Sequence, residues 1–460
     1  MKKTSTPANL GHTTNQSIRV RDYVDTALKT FSLYDNVRSI PRLTDGFKPS
    51  QRKSICGTLH RGENAGEMQV ERLASMIAAH TDYHHGANSL VSTIVGMAND
   101  KMPGMNNMNV FDPRGQFGSR LTDEPGAGRY INTLLNSNFR ELFKKEDDCI
   151  LESIIVDGEE IEPRTYIPIL PMPLVNGAQG TGTGHATNIL SYHPTHLRDA
   201  LVTLIDGKKL KSGKLTPFFR GYHGTVARNQ TTGQVSTTGV YEIVNSTTIR
   251  ITELPLGVYL DKYKETLNAL EEALFIKGYD DRSTEDSFDF IVDCARSTTA
   301  LDHETLLKKF KLVGRDTENF TLWNVKGTLQ KFDSAEAIIE AFLPWRLERY
   351  EDRRNKLMEE TSEQIRYQSE VIRFIRFYLA NTKVFKDTSK KELIELLLTN
   401  KFVDYDRLLS MPIWNLTKDK IAELEKKLID FKAYLVSLKA DSAGEMYKRE
   451  LKAFSYKEII

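Results

Sequence analysis

Arg129 and Tyr130 stand side by side within "DEPGAGRYINTLLNSNF" (Asp123–Phe139). Pro125, Gly126 and Gly128 break any helix before them, and Ile131, Leu134 and Leu135 then open an apolar stretch. The pattern predicts a loop meeting a helix, with a cation and a phenol presented at the junction. A phenol has a pKa of about 10 and is a poor nucleophile at neutral pH unless something assists it. Neighbouring cations assist twice: they favour the phenolate, and they stabilise charge on a phosphoryl group under attack. The chemistry open to this pair is therefore attack on a phosphodiester. The phosphotyrosine link so formed conserves the bond energy, so the strand can be resealed without an outside energy source.

Such a tyrosine needs elements that hold nucleic acid. "RSIPRLTDGFKPSQRKSICGTLH" (Arg38–His60) sets Arg38, Arg42, Lys48, Arg52 and Lys53 against the single anion Asp45. Pro49 can open a helix there, with Ser50 in its first turn. Cations around a helix start suit phosphate, because amide ends and charges act together. "YHHGANSLVSTIVGMAND" repeats the design. His84-His85-Gly86 reads as a turn, Asn88 or Ser89 as a cap, and Leu90, Ile94 and Met97 as a buried stripe. Two short helices joined in this way fit a helix-turn-helix or winged-helix reader; the bland alternative is a solvated basic face. Other clusters offer less. "YDDRSTED" (Tyr279–Asp286) reads as a solvated loop. "HPTH" (His193–His196) lacks a third ligand. "NGAQGTGTGHATN" (Asn176–Asn188) lacks the lysine of a phosphate-binding loop. No ATP-binding signature is found in the sequence.

The chain has 460 residues, 40% of them hydrophobic, and Lys+Arg 63 nearly balance Asp+Glu 62. A net charge of +1 makes any nucleic-acid site a local feature. Cys56, Cys149 and Cys294 read as free thiols of a reducing compartment. No membrane-length apolar run is present, so the expected location is cytoplasmic. "GVYEIVNSTTIRITELP" (Gly239–Pro255) and "FDFIV" (Phe288–Val292) read as strands. Late in the chain, Ile421, Leu424, Leu428, Phe431, Leu435 and Leu438 step by three and four, the seam of a coiled coil. An earlier helix from about Trp345 to Leu379 carries the looser stripe Tyr350, Leu357, Val371, Ile375 and Tyr378. Between them lies an apolar piece expected to self-associate at the tip of an antiparallel arm.

Five blocks carry a resemblance. "FSLYDNVRSIPRLTDGFKPSQRK", "DYHHGANSLVSTIVGMAND", "NNMNVFDPRGQFGSR", "RYINT" and "PMPLVNGAQGTGTGHATNI" resemble, in order, the characteristic segments of type IIA DNA topoisomerases. The likeness continues through "FFRGYHGTV", "ITELP" and the paired arm helices, and its wording is nearer eukaryotic enzymes than gyrase. A separate breakage-reunion subunit with such motifs resembles the medium subunit of T-even-type phage topoisomerases. The resemblance implies an α+β multidomain fold with these parts: an N-terminal arm (1–30), a winged-helix domain with the catalytic tyrosine (31–150), a mixed α/β tower (151–344), a coiled-coil arm (345–389 and 416–445), a dimerisation globule (390–415) and a tail (446–460).

It also implies roles. Tyr130 would be the nucleophile and Arg129 a contact to the scissile phosphate. Arg38, Lys48, Gln51, Arg52, Lys53, His84, His85, Asn88, Ser92 and Thr181 would contact DNA. The activity implied is that of an ATP-hydrolysing isomerase that cuts double-stranded DNA, passes a second duplex and reseals. Catalytic Mg2+ and ATP would be held by a separate ATPase/TOPRIM partner, with no metal ligands in this chain. The homodimer would close through the C-terminal globule. Two departures stand out. "LTDEPGAG" between Arg120 and Arg129 is shorter than the family's loop, and Thr181 replaces an isoleucine that wedges into DNA. The competing readings are a tyrosine nuclease or recombinase, and a non-catalytic coiled-coil clamp on DNA.

Overall fold

The computed structural model describes residues 18–456 apart from 212, 214 and 230. Much of the expected N-terminal arm and the last residues of the tail therefore lie outside the described residues. Three helices, Pro49–His60, Val70–His80 and Ala87–Ala98, pack through one apolar stripe each. Val70, Leu73 and Ile77 interlock with Leu90 and Ile94, all fully buried. A Cβ at position 57 would press on Ile77, so Gly57 lets the first two helices cross closely.

Beside them lies a small antiparallel sheet. Its central strand, Asn132–Leu135, runs between Met68–Gln69 and Phe111–Arg114. This corrects the helix expected after Tyr130. Ile131, Thr133 and Leu135 are buried while Asn132 and Leu134 are half-buried. That period of two is the strand signature, and the loose apolar pattern concealed it because Leu134 is also apolar.

The following region is built from hairpins and two larger sheets. Val240–Asn245, Thr248–Glu253, Phe290–Cys294 and Ile276–Asp281 pair in that spatial order. Tyr279–Asp281 thus lies in a strand, so only the remainder of "YDDRSTED" is loop. This sheet and the helix Leu260–Glu272 share a core of their own. The break expected at residue 150, in contrast, is no break in packing: one core runs from Leu43 through Tyr192 and Phe342 to Phe454.

A single helix of 46 residues, Ala335–Ala380, leaves that core. It begins ten residues before the expected arm and carries Pro344 within it, so the boundary placed at 344 falls inside a helix. Its N-terminus is capped by Ser334, which accepts from the Ala337 amide. The return helix, Lys418–Ala440, is capped by Thr417 in the same way. The two run antiparallel: Arg376 meets Glu425 at 2.5 Å, and Arg354 donates to the Asp441 carbonyl at 2.7 Å. All six seam residues of the return helix are buried or half-buried.

The apolar piece expected to self-associate at the tip finds much of its packing within the chain. Leu397, Phe402, Leu408 and Leu416 pack on Val371, Phe374 and Ile375 of the long helix. Ile413 and Trp414 remain 75% and 78% exposed. At the arm's root, Asp147 accepts from Arg346 at 2.6 Å and from Arg353 at 3.3 Å, and Tyr350 donates to Glu450 at 2.6 Å. Burial of that carboxylate is offset by two guanidiniums, which fixes the angle at which the arm departs.

Candidate functional site

Tyr130 is 74% exposed. Its turn is held by backbone hydrogen bonds on both sides. Gly126 N donates to Gln116 O at 2.8 Å, Tyr130 N to Ala127 O at 2.8 Å, Glu71 N to Gly128 O at 3.1 Å and Val70 N to Ile131 O at 3.0 Å. The Gln69 amide donates to the Arg129 carbonyl. Gly128 lies against Val91 with no room to spare for a Cβ, which seats the turn on the helix carrying Asn88 and Ser92. The Arg129 guanidinium stands 5.0 Å above the Tyr130 ring. A rigid backbone thus presents a solvent-facing phenol with a cation at its side.

A groove of about 550 Å3 opens at the N-terminus of the Pro49–His60 helix and is lined by Arg38, Lys48, Lys53, His84 and His85, with Tyr34 and Ser50. A second groove of about 670 Å3 adjoins it through the shared Lys48, Ser50, Ser89 and Thr93 and adds Gln51, Ser92 and Gln179. Seven of the residues expected to contact DNA therefore line one continuous trough. Tyr130 and Arg129 line neither groove. Asn88 is exposed one turn from Ser92.

Charge in the trough is only partly compensated: Asp82 lines it and meets His84 Nε2 at 3.0 Å. Lys48 has no carboxylate partner among the described residues, and burial pulls its ammonium pKa down. The His85 imidazole lies below its ordinary value, first by burial and then by Arg38 and His84. Tyr34, which sequence reasoning missed, meets His85 Nε2 through its hydroxyl at 2.6 Å. Its signal was its place one helical turn before Arg38.

Two expected DNA contacts face the other way. Arg52 is 5% exposed, bonds Asp45 at 2.7 Å and 3.2 Å, and donates to Phe47 O at 2.6 Å. It is a buried strut of the loop and not a free cation. Lys53 reaches the groove wall, but its ammonium is taken by Glu162 at 2.8 Å and Thr81 O at 2.5 Å. Gln51 uses its side-chain oxygen to accept from the Lys48 amide at 2.8 Å, closing the helix start.

Thr181 is exposed on the hairpin Ala178–Gly182/His185–Ile189, paired with Ala186. The flanking glycines explain its setting. A Cβ at 180 would overlap the Ser39 carbonyl oxygen, and one at 182 the Asn36 side chain. The strand's inner face is therefore stripped of side chains to lie on the helix Lys29–Ser39, and Thr181 between them points outward. Asn36 donates to Thr183 O at 3.0 Å and Thr183 to Asp35 at 2.7 Å, which fastens the turn.

Among the described residues, no group of three or more His, Cys, Asp or Glu is placed to hold a metal ion. Two carboxylates, Asp82 and Asp316, line the trough but belong to no such group, so the residues present do not fit a tightly held Mg2+. No helix among the described residues is long and apolar enough to cross a membrane. Cys56, Cys149 and Cys294 are free, and burial pushes the Cys56 and Cys294 thiols up to about 11.

Comparison with known proteins matches residues 38–452 to the family model of the DNA gyrase and topoisomerase IV A subunits. The mitochondrial DNA topoisomerase 2 of Dictyostelium discoideum is 33% identical, over 98% of this chain and 36% of its own. DNA topoisomerase 2 of Arabidopsis thaliana is 36% identical over 84% of this chain and 27% of its own. The chain thus spans about a third of the length of these relatives. The solved DNA-binding, cleavage and re-ligation domain of Plasmodium falciparum topoisomerase II superposes with a TM-score of 0.87 at 32% identity, covering 94% of this chain and 63% of that one.

Proposed function

The chain belongs to the family of the DNA gyrase and topoisomerase IV A subunits, the breakage-reunion part of type IIA DNA topoisomerases, and from that premise we propose that it cleaves and religates double-stranded DNA through Tyr130. The observation that carries this is the exposed phenol on a backbone-pinned turn with Arg129 beside it. The Tyr130 oxygen forms a bond to phosphorus while the bond to the neighbouring 3′ oxygen breaks. The phenol gives up its proton and the departing oxygen gains one. Resealing is the reverse, with the 3′ hydroxyl as nucleophile. Arg129 offsets charge on the phosphoryl oxygens, and Arg38, Lys48 and the histidines of the trough hold the backbone.

The finer organisation is part of the same reading. The three helices and small sheet serve as a winged-helix reader, and the hairpin places Thr181 at the step where the duplex bends. The long helix pair is a coiled-coil arm that closes a homodimer at its tip. Each protomer contributes one Tyr130, so opposite strands are cut and a second duplex passes between them. Mg2+ and ATP would be supplied by ATPase/TOPRIM parts, as in a phage-type enzyme of separate subunits acting in a host cytoplasm. A tyrosine nuclease, a recombinase or an inert DNA clamp is not favoured by the relatives.

Tyr130→Phe tests the reading, since only the nucleophilic oxygen goes. The variant should bind duplex as the parent does and form no covalent adduct. Strand passage by an assembly holding only the Phe form would overturn the assignment.

A further inference from the structure

Beyond the cleavage trough, one surface gathers lysines with few counter-charges. The helix Pro194–Ile205 is followed in sequence by "DGKKLKSGKL", of which Ser212 and Lys214 lie outside the described residues. Lys208, Lys209 and Lys211 are exposed there, while Leu210 and Leu215 pack on the main core and anchor the loop. The helix Ala443–Ala453 lies alongside and adds Lys448 and Lys452, one turn apart on one face. Lys448 bonds Asp206 at 2.5 Å, and Lys208 and Lys452 also act on that carboxylate. Glu445 faces Lys448 as well. Five lysines thus meet two carboxylates on a chain whose net charge is +1. Lysines at a helix C-terminus are favoured by its dipole alone, but that accounts for the loop and not for the convergence of a second helix.

The place of this surface separates it from the trough. Ser191 lines the second groove, and the helix that follows it, Pro194–Ile205, is 12 residues long, about 18 Å at 1.5 Å per residue. The lysines sit at its far end, beside the terminal helix that packs against the root of the arm. Their type also matters. Lysine is a flexible point charge without the fork that reads bases, so it suits sequence-independent backbone contact.

We propose that Lys208, Lys209, Lys211, Lys448 and Lys452 form a second DNA-backbone surface, which holds a duplex other than the one lying in the cleavage trough. The proposal rests on the reading of this chain as the strand-passage part of the enzyme. It assigns these lysines to the transported segment, on the side where the arm leaves the body.

The test uses the full chain carrying Lys208→Glu, Lys209→Glu and Lys211→Glu together, positions whose exposure leaves packing intact; an unchanged melting temperature checks this. A short duplex that only spans the trough is first loaded on a Tyr130→Phe background, so that the readout does not depend on cleavage. Binding of a second, labelled duplex is then followed against salt. Each phosphate contact contributes about 0.9 to the slope of log K on log salt. The triple variant should therefore lose about 2 to 3 in that slope for the second duplex, and more than about tenfold in affinity at low salt. First-duplex binding should not change. An unaltered second-duplex slope would overturn the proposal and leave the lysines as a solvated face. A loss of first-duplex affinity that grows with duplex length would overturn it too, assigning them to flanks of the cleaved segment. Failure of the cleavage reading shows separately, as absence of an adduct with the Tyr130 form.

Discussion

Arg52 and Lys48 are four residues apart on one helix start, yet their surroundings assign them opposite work. Arg52 is closed over by Asp45 and the Phe47 carbonyl, whereas Lys48 faces the trough without a carboxylate. Arg52→Ala leaves Asp45 buried and unpaired, which should lower stability by about 3–5 kcal/mol. Lys48→Ala should leave the denaturant midpoint nearly unmoved and reduce the salt slope of DNA binding by about 1. Chemical denaturation and a salt titration of both variants separate the two roles. His85 adds a pH dependence. Its folded pKa lies below the ordinary value, through burial and then Arg38 and His84, so the free protein binds less than a full proton there just below about pH 6.5. A phosphate against Arg38 reverses part of that shift, and DNA binding should take up protons in this window. Affinity should then rise as pH falls through it. Calorimetry in buffers of different ionisation enthalpy reads the uptake, which His85→Gln should abolish.

The Gly180/Gly182 strand shows how an element can be specified by what it lacks. Gly180→Ala would place a Cβ on the Ser39 carbonyl oxygen. Overpacking of this kind costs about 1–3 kcal/mol, and here it should lift the hairpin off the helix Lys29–Ser39. Thermal melting and hydrogen exchange of residues 178–189 check this; unchanged protection would mean that the contact is not essential. The cause was not visible in the sequence, where "GAQGTGTG" shows only flexibility and not which backbone lies opposite. The arm was legible, because its seam repeats over many turns and period alone decides it. The helix start at Pro49 was legible from local punctuation, but the cap expected at Asn88 or Ser89 is Gly86, and both side chains lie inside the helix Ala87–Ala98. The strand after Tyr130 was not, since four residues with apolar Leu134 beside Leu135 fit either period. Nor was the burial of Arg52: a cation's partner seven residues away cannot be told from a cation awaiting phosphate.

For the molecule as a whole, the elements that carry the trough, the presented tyrosine and the root of the arm are joined by one core. The tip has its own core and still exposes Ile413 and Trp414. Replacing both by Asp should convert a dimer to a monomer in sedimentation without unfolding the tip, whose buried residues are untouched. The central claim is that Tyr130 is the residue that joins DNA. Its most direct measurement combines the chain with an ATPase/TOPRIM partner, Mg2+ and end-labelled duplex, stops the mixture with denaturant, and maps the linked peptide by mass spectrometry. The account predicts one nucleotide 5′ phosphate on Tyr130 in each protomer, released when the complex is allowed to reseal before the quench. A covalent adduct on any other residue, or none under conditions where DNA is bound and cut, would contradict it.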